Sequence, residues 1–289
     1  MNMHKHIHGI IELTESIINF NKDVDMLYKH AGYDKLNKAI RDGSPLAIRK
    51  ALNNTLRIKD INSSQLRTRA GRAAHKINPI VFKFGQSFNS YQMLRHMITI
   101  GFYTTGIYSL LDRTDYDLSD KALKGMELTD AGIVRMRNDL LEPALKGSIA
   151  HELNHWYKDS IDNKFLTKQD RLGSYYKLTK QTNKLNKVLK FGHTDINQTD
   201  FEIDSQIAAI DQVKRNIGAR RFNKLNWYKL VELKPSLLGN MVNHNNEKEY
   251  QDVMRRLIKR LSREGLYGKG LGRSIPKYSE LKLWARNMQ

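Results

Sequence analysis

The stretch Glu142-Pro-Ala-Leu-Lys-Gly-Ser-Ile-Ala-His-Glu-Leu-Asn-His-Trp156 decides how this chain is read. Its centre, His151-Glu152-Leu153-Asn154-His155, has the pattern H-E-x-x-H. On a helix, side chains four apart stand on one face, so His151 and His155 can bind one metal ion through two imidazoles. Zinc held there would lower the pKa of a coordinated water toward ~7, and Glu152 would take its proton as a general base during attack on a carbonyl. A chain of this composition produces the pattern by chance only about 0.013 times, so it carries information although it is short. Glu142-Pro143 suits a helix start. Leu145, Ile149, Leu153 and Trp156 fall on one apolar stripe, and His151, Glu152 and His155 lie about 60° to 160° from its centre. The expected helix packs one face into a core and turns the adjacent face toward a cleft. An ordinary amphipathic helix with His–Glu pairs on its surface predicts the same stripe.

A catalytic zinc needs a third protein ligand and an open position. No further histidine follows closely on His155. Glu202 is the first candidate. It stands beside the apolar stripe Ile203, Ile207 and Ile210 of a second expected helix starting near Thr199-Asp200, with Gln206 one turn further on the same face. Thr199-x-x-Glu202 also reads as a capping box, which would turn the carboxylate to the Thr199 backbone instead. His193 is the second candidate and would complete a three-histidine site. Asp159 and Asp162 form the third: Asp159 is one turn beyond His155, suited to orienting a ligand or to the solvated end of a helix.

His151-Glu-Leu-Asn-His155 followed by Glu202-Ile-Asp-Ser-Gln206 resembles the gluzincin branch of the zincin metallopeptidases, over roughly residues 95–215. The resemblance implies a zinc peptidase with Glu202 as third ligand and a small sheet ahead of the active-site helix, for which residues 133–137 would be the edge strand. It extends to short HExxH proteins encoded by bacteriophages, which implies a virion or its precursor as a setting. Gln206 departs from the pattern, which has an acid there to support a zinc histidine. The family also stabilises the oxyanion with a Tyr, His or Arg; Tyr175, Tyr176 and His193 are available for that role.

Around this centre the expected fold is α+β and mostly helical. Residues 10–80 read as short amphipathic helices. Residues 80–84, 97–108 and 133–137 are rich in β-branched and aromatic side chains and supply a small mixed sheet. Helices resume after Glu142, one of them over about 247–263. The expected division is a basic helical region over 1–80, a zincin-like core over 81–215, and a basic helical region over 216–289. The cluster Gly265, Gly268, Gly270 and Gly272 lacks the Gly-Lys-Ser/Thr order of a phosphate loop and reads as a flexible turn. His4, His6 and His8 alternate and could share a strand face, or belong to a solvated terminus.

Composition narrows the function classes. There is no cysteine among the 289 residues, which excludes thiolate zinc ligands, disulfides and a cysteine nucleophile. The formal net charge is +19. Basic residues concentrate in 57–76, 168–190 and 255–286, which points to nucleic acid or another polyanion as a partner beside a protein or peptide substrate. The longest uncharged run, Met97 to Leu111, is too short and too polar to span a membrane, and the N-terminus lacks a signal-peptide pattern. The expected location is therefore intracellular or in a virion. A second class stays open: a basic structural or nucleic-acid-binding protein with an inactive zincin-like fold.

Overall fold

The computed structural model describes residues 19–101, 141–162 and 200–288, apart from short gaps at 43–45, 48–49, 52–53, 55–59, 87–89, 93–96, 235–236, 238–240, 242–246 and 274. The expected edge strand at 133–137, the strand beyond residue 101, the basic segment 168–190, Thr199, His193, Tyr175, Tyr176 and the N-terminal histidines lie outside the described residues. Among the described residues no helix is long and apolar enough to cross a membrane.

The architecture is mostly helical with a small mixed sheet. Helix α1 (Asn21–His30) buries Val24, Leu27 and Tyr28, the i, i+3, i+4 stripe of a one-sided helix. Gly32 follows at φ 71, a left-handed position that glycine takes without a Cβ clash, and turns the chain into α2 (Tyr33–Asp42). A two-residue strand, β1 (Ile61–Asn62), then interrupts what the sequence suggested was a purely helical region. Thr68 caps α3 (Arg69–Ile77) by accepting from Gly71 N at 2.9 Å. The buried Asp23 of α1 accepts from Arg67 N at 2.6 Å and Thr68 N at 3.0 Å, so an otherwise costly buried carboxylate fastens the start of α3 to α1.

Strands β2 (Val81–Gln86), β3 (Ser90–Gln92) and β4 (Met97–Gly101) complete a sheet of order β1-β2-β4-β3. β2 and β4 run parallel with Phe82 opposite Ile98 and Phe84 opposite Ile100, and the outer strands pair antiparallel. These four side chains are buried, and Trp156 meets Phe82 edge-on with ring centroids 6.2 Å apart. The buried Trp156 Nε1 donates to Asn78 O at 2.9 Å, which satisfies its one polar group.

Helix α4 (Leu141–Asp162) carries the H-E-x-x-H pattern and is the hub of the fold. Leu145, Ile149, Leu153 and Trp156 are fully buried, as the stripe required. The expected open face is not found: Gly147 through Tyr157 are all buried. α1, α3 and the sheet cover the apolar side, and α5 (Asp200–Ile217) packs closely along α4.

Buried apolar residues fall into two clusters. The first joins α1, α2, α3, the sheet and the apolar side of α4. The second joins α5 to the C-terminal helices: α6 (Ala219–Phe222), α7 (Trp227–Leu233), α8 (Glu247–Arg263), α9 (Lys269–Gly272) and α10 (Tyr278–Met288). The seam between α4 and α5 is polar. Asp204 of α5 crosses it to Lys158 of α4 and also pairs with Arg260 of α8 at 2.6 Å.

The glycine cluster at 265–272 is a packing device rather than a flexible turn. Gly265 takes φ 63 at the end of α8, and Gly270 N donates to Asn223 O at 2.9 Å. A Cβ on Gly270 would collide with the Leu225 carbonyl oxygen. Gly270→Ala is therefore expected to destabilise the fold by about 1–3 kcal/mol, because backbone rather than a flexible side chain blocks the methyl group. The shift of the urea midpoint at unchanged m-value measures it.

Candidate metal centre

His151 and His155 project from successive turns of α4, and Glu202 projects from the first turn of α5 across the seam. Glu202 Oε1 lies 3.2 Å from His151 Nε2, and Oε2 lies 2.9 Å from His155 Nε2. The two Nε2 atoms are 3.0 Å apart. A tetrahedral ion with bonds of about 2.0–2.1 Å spaces its ligand atoms by about 3.3 Å, close to each of these separations. These three residues form a group that could hold a metal ion. All are buried.

The donor set agrees with that geometry. Ser205 Oγ, one turn along α5, lies 3.1 Å from His155 Nδ1 and accepts from Asn154 Nδ2 at 3.0 Å. In the tautomer whose Nδ1 donates to Ser205, His155 Nε2 presents a lone pair to Glu202 Oε2 at 2.9 Å. Two acceptors facing each other at that distance need a cation or a proton between them. Gln206 Nε2 donates to Glu202 Oε1 at 3.1 Å and so supports the carboxylate ligand, not a histidine. His151 Nδ1 and Gln206 Oε1 are buried without a hydrogen-bond partner. Of the two histidines, only His155 thus shows the outer hydrogen bond that orients a metal ligand.

Burial holds the His151 imidazole down to about 4; Glu202 pulls against that shift, while His155 and Lys234 add to it. Burial by itself would raise the Glu202 carboxyl, but the facing histidines more than reverse it and hold it well below the usual carboxylate range. In the metal-free protein the folded His151 pKa lies below its unfolded value of about 6.5, so the unfolded chain binds more protons between those limits. Stability from this group is full above about pH 6.5 and is lost as pH falls toward 4, by about 3 kcal/mol in total. Urea midpoints of metal-free protein at pH 7, 5.5 and 4.5 should follow that decline, and His151→Gln should flatten it.

Glu152 is buried beside the ligands on α4. Its electrostatic partner is one that motif reading missed. Lys234, at the C-terminal end of α7, is 1% exposed, and burial pushes its ammonium down to about 8 against the pull of Glu152 and then Glu202. Its stem passes the small Gly147 of α4, whose Cβ position is 3.6 Å from Lys234 Cδ. A signal was present in the sequence. Trp227, Leu230, Val231 and Lys234 occupy i, i+3, i+4 and i+7, so the lysine stands in an apolar stripe where a charge needs an internal partner.

Among the other candidates, Asp159 is 3% exposed, which overturns its reading as a solvated helix end; it does not belong to the metal-holding group. Glu202 directs one carboxylate oxygen to each histidine, and Thr199, its partner in the capping alternative, lies outside the described residues. Comparison with protein families, with curated proteins and with solved structures finds no match to this chain.

Proposed function

We propose that this chain is a zinc-dependent peptidase in which His151, His155 and Glu202 hold the ion and Glu152 is the general base. The observation that carries this reading is the convergence of two imidazole nitrogens of the H-E-x-x-H helix, 3.0 Å apart, with the two oxygens of one carboxylate of α5, each 2.9–3.2 Å from one of them. Zinc bound there would polarise a substrate carbonyl and lower the pKa of a coordinated water. Glu152 takes a proton from the attacking water on its carboxylate and returns it to the leaving amine. Lys234 places a buried positive charge against that carboxylate and Glu202. Ser205 and Asn154 fix the His155 ring, and Gln206 fixes Glu202. The substrate is a protein or peptide, and the +19 charge supports a nucleic-acid-rich setting such as a virion. The likeness to gluzincins rests on the same residues.

One observation favours a second reading. His151, Glu152, His155 and Glu202 are each at most 8% exposed, and a closed centre suits a structural ion better than a catalytic one. Zinc content and turnover of a denatured protein substrate, measured on one purified sample, separate the two. The peptidase reading expects about one zinc per chain with cleavage that chelation stops. One zinc with no cleavage of any protein offered would leave the structural reading standing.

A further inference from the structure

Over residues 200–288, twelve exposed side chains among those described are Lys or Arg and two, Glu247 and Glu280, are acidic. The C-terminal helices turn several acids inward. Glu202 faces the histidines, Asp204 is shared by Lys158 and Arg260, and Glu249 is buried.

The cations are also ordered along the fold. On α8, Lys248, Arg255, Lys259 and Arg263 are exposed and fall within about 80° of one another at 100° per residue. The opposite side holds Tyr250, Val253, Met254, Leu257 and Leu261, all buried. Fifteen residues of helix make this stripe about 22 Å long. Beyond Arg263 the glycine cluster packs onto residues 223–225 through Gly270, which sets the backbone of the exposed Lys269 close to that of the exposed Lys224. Arg255 pairs with Asp252 and Arg263 with Glu264, and the band remains in large excess of positive charge.

We propose that this band, running along α8 and over the junction of α6 with α9, binds nucleic acid through the phosphodiester backbone. A line of spaced cations fits a linear polyanion better than a compact acidic patch on a protein. It fits a membrane poorly. The apolar face of α8 is already inside the second core, and the exposed large hydrophobic residues, Leu46, Ile275 and Leu283, lie on neither α8 nor α6. The band involves none of the metal-holding residues and does not rest on the peptidase reading.

The test is fluorescence anisotropy of a labelled 30-base-pair duplex of mixed sequence, titrated with the full chain at several potassium chloride concentrations. Binding should weaken steeply with salt, with a logarithmic slope of about −4 or steeper. The variant K248Q/R255Q/K259Q/K269Q should lose about three to four units of that slope and at least tenfold in affinity at about 100 mM salt. The double variant K259Q/K269Q should lose about two units and serves if the fourfold variant does not fold. K22Q/K29Q/K35Q/K38Q removes as many exposed charges from the other half and should bind nearly as wild type does. No binding at low salt, a flat salt dependence, equal losses in the two fourfold variants, or tighter binding to phosphatidylserine vesicles than to the duplex would each overturn the proposal. Glu202→Ala should bind the duplex unchanged, so a failed peptidase assay leaves this result intact.

Discussion

Glu202→Ala should purify without stoichiometric zinc, with affinity for the ion reduced by at least about a thousandfold, since loss even of an outer-shell partner costs about 10–100-fold and a direct ligand more. The carboxylate would be the one ligand from α5 in the group that could hold an ion, and it supplies the charge that would make two buried imidazoles attractive to a cation. Its removal leaves His151 Nε2 and His155 Nε2 3.0 Å apart with no anion facing them, and leaves Lys234 with Glu152 alone among its two carboxylate partners. Metal analysis of the variant beside wild type, with circular dichroism to show that α4 and α5 remain helical, checks it. A variant that kept one zinc per chain would move the third position away from Glu202, and His193→Ala would then be the variant to make.

Glu152→Gln should behave in the opposite way. Glu152 is outside the group that could hold a metal ion, so a bound ion should stay. The amide keeps the shape of the side chain and cannot take up the proton. A general base contributes about 10²–10⁴-fold, so turnover should fall by about that factor, or about 3–5.5 kcal/mol in the barrier. Because the substitution deprives the buried Lys234 of a counter-charge, some thermal stability should be lost as well, and the comparison needs kcat at a temperature where both proteins are folded. Zinc retained with unchanged turnover would remove Glu152 from the proposed role.

How far these residues could be read in advance differed by the kind of signal each left. The α4 stripe and the bounds of α8 follow from local periodicity, which survives folding because each side chain has one strongly favoured side to bury. Glu202 was legible through its position beside another stripe. The covered face of α4 was not, since a stripe says what one side wants and nothing of what packs on the other. Burying Asn154 there is tolerable because α5 supplies Ser205 to accept from it. The glycine cluster was misread because glycine serves mobility and close approach equally well, and only the Leu225 carbonyl against Gly270 distinguishes them.

The polar seam between the two apolar clusters carries a thermodynamic consequence. The histidines hang from a helix anchored in one cluster and the glutamate from a helix anchored in the other, so a bound ion would be a cross-link between two bodies whose apolar clusters are separate. Ligand free energy then appears as cooperativity: the ion stabilises the joined state by RT ln(1 + [M]/Kd) and neither half alone. With zinc in excess the chain should melt in a single transition, and chelation should let the halves part before either unfolds.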